Sequence, residues 1–222
     1  MQKRRIIIGT YDTALDGLWT LSAWTFSPAS YRQKLVEVPG RDGHLDVSTV
    51  LTGSPVYDSR TLTISLESSE GNRLERRARI ADMINRLDGL VWNIILPDDD
   101  LHYIRGRVRV AKKYNDPAHC AVTVTATCDP WLYALHETTV SLTATSVEQT
   151  ATLFNHGRLA VALTVTVIGG DVQLVYGESS WNLSPGVHTF PDIDIALTPG
   201  EHPVTYSGTG HVTLTYREAV LE

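Results

Sequence analysis

Apolar and polar residues alternate at every second position over most of this chain, and one stretch departs to a three- and four-residue spacing. The clearest alternation lies between Tyr31 and Leu66, "YRQKLVEVPGRDGHLDVSTVLTGSPVYDSRTLTISL". Here Leu45 and Val47 oppose His44, Asp46 and Ser48, and further on Leu62, Ile64 and Leu66 oppose Thr61, Thr63 and Ser65. Pro39-Gly40 and Asp42-Gly43 supply turn geometries that let strands double back. A period of two places one face of each strand on a core and leaves the other free for solvent or a partner. The stretch therefore predicts an antiparallel sheet with a glycine-rich corner.

The departure from that period predicts one helix. Leu74, Ala78 and Ala81, with Ile80, Ile84 and Leu87 on an adjoining stripe, recur at helical spacing after Asn72, a suitable N-cap, and before Gly89, a suitable end. Arg73, Arg76, Arg77 and Arg79 fill the other faces, either as a solvated surface or as a basic docking patch. Strands are expected on both sides of the helix. "LVWNIIL" (Leu90 to Leu96) reads as a central strand and Pro97 to Asp100 as a turn. In the next strand Ile104, Val108 and Val110 oppose Arg105, Arg107 and Arg109, and in the one after it Val122, Val124 and Ala126 face inward. Pro130 has no N–H for a ladder, so the last strand should stop there and a domain boundary should follow Leu132.

Beyond that boundary no helical pattern occurs. Short alternating runs recur instead: "AVALTVTV", "VQLVY", "SWNL", "VHTFP", "IDIAL", "HPVTY" and "HVTLTY", separated by Gly- and Pro-containing turns. Seven or more short strands at this spacing predict a β-sandwich. The fold class expected is mainly β, with a strand-rich domain carrying one helix over 1–132 and a sandwich over 133–222.

With 222 residues, 42% of them apolar and 20% charged, the chain is large enough for two real cores and unlike a disordered one. No apolar run approaches the roughly 20 residues of a membrane-spanning helix, and the run after Met1–Arg5 is too short for a signal peptide, so a cytosolic site of synthesis without membrane insertion is expected. Charge is divided unevenly. Up to Leu132 there are 17 Lys/Arg against 16 Asp/Glu, a balance of +1, and beyond it 2 against 9, a balance of −7. The second half thus lacks the cations that nucleic-acid recognition needs. Cys120 and Cys128, on one alternating run, would sit roughly 26 Å apart, far beyond disulfide reach, and read as free buried thiols.

Candidate chemistry is sparse. Asp98, Asp99 and Asp100 could bind calcium, but consecutive carboxylates in a tight turn diverge, and a solvated turn fits better. None of the eight His forms a His-x-x-x-His pair, and neither nucleophile elbows nor phosphate-cradling glycine loops occur. The sequence asks for no catalytic residue, cofactor or metal. Trp181, Asn182 and His188, with Glu178, are the one group that could form a sugar platform, although a Trp in a sandwich more often packs in its core. Arg105, Arg107 and Arg109 share one sheet face and are candidates for contact with another subunit or partner; pairing within the chain, with Glu67 or Asp58, is the alternative.

As a pattern, Pro39-Gly40, Asp42-Gly43, Leu45-Asp46, Tyr57 and Arg60, followed by Asp129-Pro130-Trp131, resemble the family of siphophage distal tail proteins (Dit). That resemblance implies a split-barrel-like N-terminal belt domain with one covering helix and a galectin-like or jelly-roll sandwich behind it. It also implies a structural role in the virion. Six copies would form a ring at the tip of a long non-contractile phage tail, between the tail tube protein and the tail-tip or receptor-binding proteins. DNA would pass through the ring without sequence-specific binding, and assembly would take place in the host bacterial cytoplasm. A carbohydrate-binding protein acting through the second domain is the rival from a different class.

Overall fold

The computed structural model describes residues 5–221. Tertiary contacts divide them into 5–132 with Leu221, and 133–220. Strand makes up 53% of the chain and a single helix is present among the described residues, so the fold is mainly β.

The first unit contains β1 (Ile7–Ile8), β2 (Tyr11–Asp12), β3 (Thr20–Phe26), β4 (Leu35–Glu37), β5 (His44–Asp46), β6 (Arg60–Ser68), α1 (Arg73–Leu87), β7 (Val91–Ile95) and β8 (His102–Asn115), and most of β9 (Cys120–Ala134). Seven of these strands form a curled half-barrel sheet in the order β2-β1-β7-β8-β9-β6-β3. Its inner face is the one the alternation predicts: Leu62, Ile64 and Leu66 on β6, Ile104, Val108 and Val110 on β8, and Val122, Val124 and Ala126 on β9 are all buried. Each such aliphatic side chain stabilises the fold by roughly 1.5–3 kcal/mol through removal from water.

Helix α1 begins at a capping box. The Asn72 side chain accepts from the N–H groups of Leu74 and Glu75, and the Glu75 carboxylate accepts from Asn72 N–H at 2.9 Å, a pairing worth about 1 kcal/mol. The chain leaves the helix through Gly89, φ 78°. The buried stripe differs from the expected one: Arg76, Ile80, Met83 and Leu87 face inward, whereas Leu74 is 73% exposed and Ala78 and Ala81 lie outside. Arg76 is therefore no part of a solvated face. Its guanidinium reaches the carbonyls of Asp116 and Pro117 at 3.0 and 2.8 Å, in the β8–β9 turn, and those of Ser69 and Gly71 before the helix.

β7 lies inside the sheet between β1 and β8, as expected of a central strand, although of its residues only Ile94 is fully buried. One further expectation needs correction. Pro130 does not end a strand. β9 continues to Ala134, since β6 has already run out at the Arg60–Cys128 pair and no ladder N–H is demanded of residue 130 on that side.

The second unit holds β10 (Thr138–Thr143), β11 (Gln149–Asn155), β12 (Val161–Ala162), β13 (Thr164–Ile168), β14 (Val172–Tyr176), β15 (Ser179–Leu183), β16 (Gly186–His188), β17 (Ala196–Leu197), β18 (Gly200–Gly208), β19 (His211–Tyr216) and β20 (Ala219–Val220). Two antiparallel four-stranded sheets, β10-β19-β13-β16 and β11-β18-β14-β15, enclose a core that includes Leu153, Val165, Leu174, Val204 and Leu214. The sequence suggests that Tyr206 to Leu221 closes the domain as a hairpin. The structure differs: β18 and β19 are consecutive but belong to opposite sheets. A turn through Thr209-Gly210 and a cross-sheet connection look alike in a linear pattern.

Candidate functional site

The segment Tyr31–Tyr57 projects as an arm. Its base is closed by a bridge between Tyr31 and Tyr57, by Arg32 N–H donating to Val56 O at 2.7 Å, and by the Arg32–Asp58 ion pair at 2.6 Å. Beyond the base, β4 and β5 pair antiparallel, Leu35 opposite Asp46 and Glu37 opposite His44. Pro39, Gly40, Asp42 and Gly43 make the tip, where Gly40 and Gly43 have φ of 80° and 75°, values that side chains with a Cβ resist. On the returning strand Asp46 accepts from the Ser48 hydroxyl and N–H, which holds its carboxyl below the usual carboxylate range.

Alternation in this arm does not place one face on a core. Leu35, Val36 and Leu45 are 47%, 39% and 38% exposed, and Val50 and Leu51 reach 70% and 94%. A two-stranded hairpin is marginal on its own in water. The arm thus carries exposed apolar side chains on both of its strands.

The remaining motif residues gather at the foot of the arm. The Tyr57 and Trp131 rings meet edge to face, centroids 5.4 Å apart. Arg60 is fully buried: Nε donates to Ser27 O at 2.6 Å, one terminal nitrogen donates to Leu221 O at 2.8 Å, and the guanidinium carbon stacks 3.7 Å above Phe26. Asp129 and Pro130 follow directly on the Arg60–Cys128 pair. Burial, then the Asp129 charge, pushes the Cys128 thiol up to about 12. Cys120 and Cys128 are both free and buried. The motif thus divides in two, a projecting tip and a packed base, and Arg60 acts as a clamp in the base.

Arg105, Arg107 and Arg109 stand exposed along β8, with Asn93 and Val91 of β7 opposite Arg105 and Arg107. Arg107 donates to Gly89 O. Among the described residues no ion pair joins any of the three to a carboxylate. Asp58 is engaged by Arg32, and Glu67 sits on β6, separated from β8 by β9. Neither acid supplies the intrachain pairing weighed from sequence.

Asp98, Asp99 and Asp100 form the β7–β8 turn. Asp99 accepts from the N–H groups of Leu101 and His102 and pairs with the His102 ring at 2.9 Å. The described residues contain no cluster of three or more potential metal ligands. In the sandwich, Trp181 packs against the core while Asn182 faces out beside Gln173. His188 lies on β16 in the opposite sheet, its ring bonded to Ser184 O at 2.7 Å, and Glu178 lies in the β14–β15 turn. The four do not assemble into one platform. Asn182 instead borders a groove of about 520 Å³ lined by Asp171, Gln173, Ser184, Ser207 and Thr209 together with Val172 and Leu183. These residues come from separate strand ends, so no local sequence signal marks the groove.

No protein-family model matches the chain, and no curated protein is significantly similar to it in sequence. A solved structure is similar in fold. The chain superposes on the crystal structure of the SPP1 Dit (gp 19.1) protein with a TM-score of 0.66 at 16% identity, covering 97% of this chain and 98% of that one. That protein is described as a paradigm of the hub adsorption apparatus in phages infecting Gram-positive bacteria. The likeness extends over the whole chain and is one of fold.

Proposed function

We propose that this chain is a structural virion protein, a Dit-like hub of a long non-contractile phage tail, and carries no catalytic activity. The observation that carries the reading is the exposed apolar arm on a chain whose entire length follows the fold of a phage hub protein. Six copies would close a ring through heterologous contacts, each first unit offering its arm and its sheet edges to the next copy. β2 and β3 are the outer strands of the half-barrel sheet, and ring closure would remove edges that otherwise invite uncontrolled pairing. The ring would join the tail tube protein on one side to tail-tip or receptor-binding proteins on the other, with a channel for DNA. The second unit is read as the galectin-like domain. Light scattering and negative-stain microscopy of the full-length chain test the reading: a pierced annulus is expected, and solitary particles at all concentrations would refute it.

The groove beside Asn182 supports a second reading, carbohydrate binding by the sandwich, because hydroxyl, amide and carboxylate groups line it beside apolar surface. Glycan-array screening of the full chain checks it. Binding lost on Asn182→Ala but kept on Trp181→Phe would favour this reading.

A further inference from the structure

The outer face of the half-barrel sheet, on the side away from Leu62, Ile64 and Leu66, is built by the three neighbouring strands β6, β9 and β8. Across β6 and β9 the pairs Thr61–Thr127, Thr63–Thr125 and Ser65–Thr123 lie side by side, a field of six hydroxyls. The next strand, β8, adds Arg105, Arg107 and Arg109 at every second position, roughly 7 Å apart. β8 is held close to β9 here, since a Cβ on Gly106 would fall 2.6 Å from Cys128 Sγ. By the same alternation the acidic residues of β6 and β9 on this side are Glu67 and Asp129, at opposite ends of the ladder. The middle of the face therefore presents guanidinium and hydroxyl donors without a neutralising carboxylate.

We infer that this face binds the phosphate backbone of duplex DNA, weakly and without reading sequence. Arg side chains with Ser and Thr hydroxyls are the groups that contact phosphate oxygens. A protein partner would ask for an apolar centre with a charged rim, and here the centre is hydroxyl while Val91 lies at the margin, opposite Arg107. The chain as a whole is acidic, at −6, so the attraction is local and the affinity belongs to the non-specific class. Naming DNA as the polyanion rests on the tail-hub reading; the phosphate chemistry of the face does not.

The test is fluorescence anisotropy of a labelled 20-base-pair duplex titrated with full-length protein at 50 and 200 mM salt. With three phosphates neutralised, affinity falls roughly 40-fold between those salts. Replacing all three arginines by Gln abolishes binding. Because Arg107 also holds Gly89 O, the double variant Arg105→Gln/Arg109→Gln is measured too, and its salt loss shrinks to roughly 3- to 4-fold. No wild-type binding at 50 mM salt, or variants that bind like wild type, would overturn the inference. So would competition by polyglutamate as effective as by unlabelled duplex, which assigns the face to an acidic protein. Light scattering on the same samples separates the two proposals. A ring that ignores DNA sinks this inference alone, and a monomer that binds DNA sinks the hub reading alone.

Discussion

Replacing Arg76 by Met should unfold the first unit at a markedly lower temperature, although no charged partner is lost. Arg76 is 2% exposed, and its guanidinium donates to four backbone carbonyls: Ser69 and Gly71 ahead of the helix, Asp116 and Pro117 in the β8–β9 turn. Methionine keeps the aliphatic stem but leaves those acceptors without donors. Each hydrogen bond to a charged group contributes about 1.5–3 kcal/mol. Water will reach some carbonyls in the opened turn, so the net loss is set at about 3–5 kcal/mol, that of leaving about two of the four carbonyls unpaired at about 1–3 kcal/mol each. For a unit of this size that corresponds to a fall of roughly 10–20 °C in midpoint. Calorimetry of the full chain measures it, with Arg77→Met, exposed one position later, as a control expected within about 0.5 kcal/mol of wild type. An Arg76→Met loss below about 1 kcal/mol would refute the clamp.

Val50→Asp together with Leu51→Asp on the arm should abolish assembly while leaving the unfolding midpoint of the single chain within about 0.5 kcal/mol of wild type, since these side chains are 70% and 94% exposed; a lowered midpoint would show that the arm packs on its own chain. Cys128, with its thiol pushed to about 12, should resist alkylation at pH 8 in the native chain and react once unfolded. The sign of its linkage follows from the raised value: the unfolded thiol loses its proton first, near pH 8.5, so stability is intact below that pH and declines as pH climbs toward 12. Denaturant titrations at pH 7.5 and 10.5 check this against Cys128→Ala. Trp181→Ala should cost the sandwich about 2–3 kcal/mol because the ring packs on the core; no loss of stability would place it outside.

Local signals were legible where one residue's chemistry decides the outcome. Asn72 ahead of a run at helical spacing marks a helix start, and Leu62, Ile64 and Leu66 could face only inward. Signals failed where the partner is distant. The alternation of Leu45 and Val47 is indistinguishable from that of a core strand, since a sequence shows amphipathicity without showing what covers it. Arg76 reads as a surface cation until the β8–β9 turn, some 40 residues on, is brought beneath it. Sandwich strands were visible from Gly and Pro punctuation, but which sheet each joins depends on long-range pairing, and the β18–β19 hairpin expectation failed for that reason. The groove beside Asn182 escaped notice because its walls come from three separate strand ends.

The most direct test of the central claim is the solution mass of the full-length chain by multi-angle light scattering across a micromolar concentration series. The account predicts a species of six chains of 24.5 kDa each, reduced to one chain by the arm substitutions. A mass of 24.5 kDa at every concentration for the unaltered chain would contradict it.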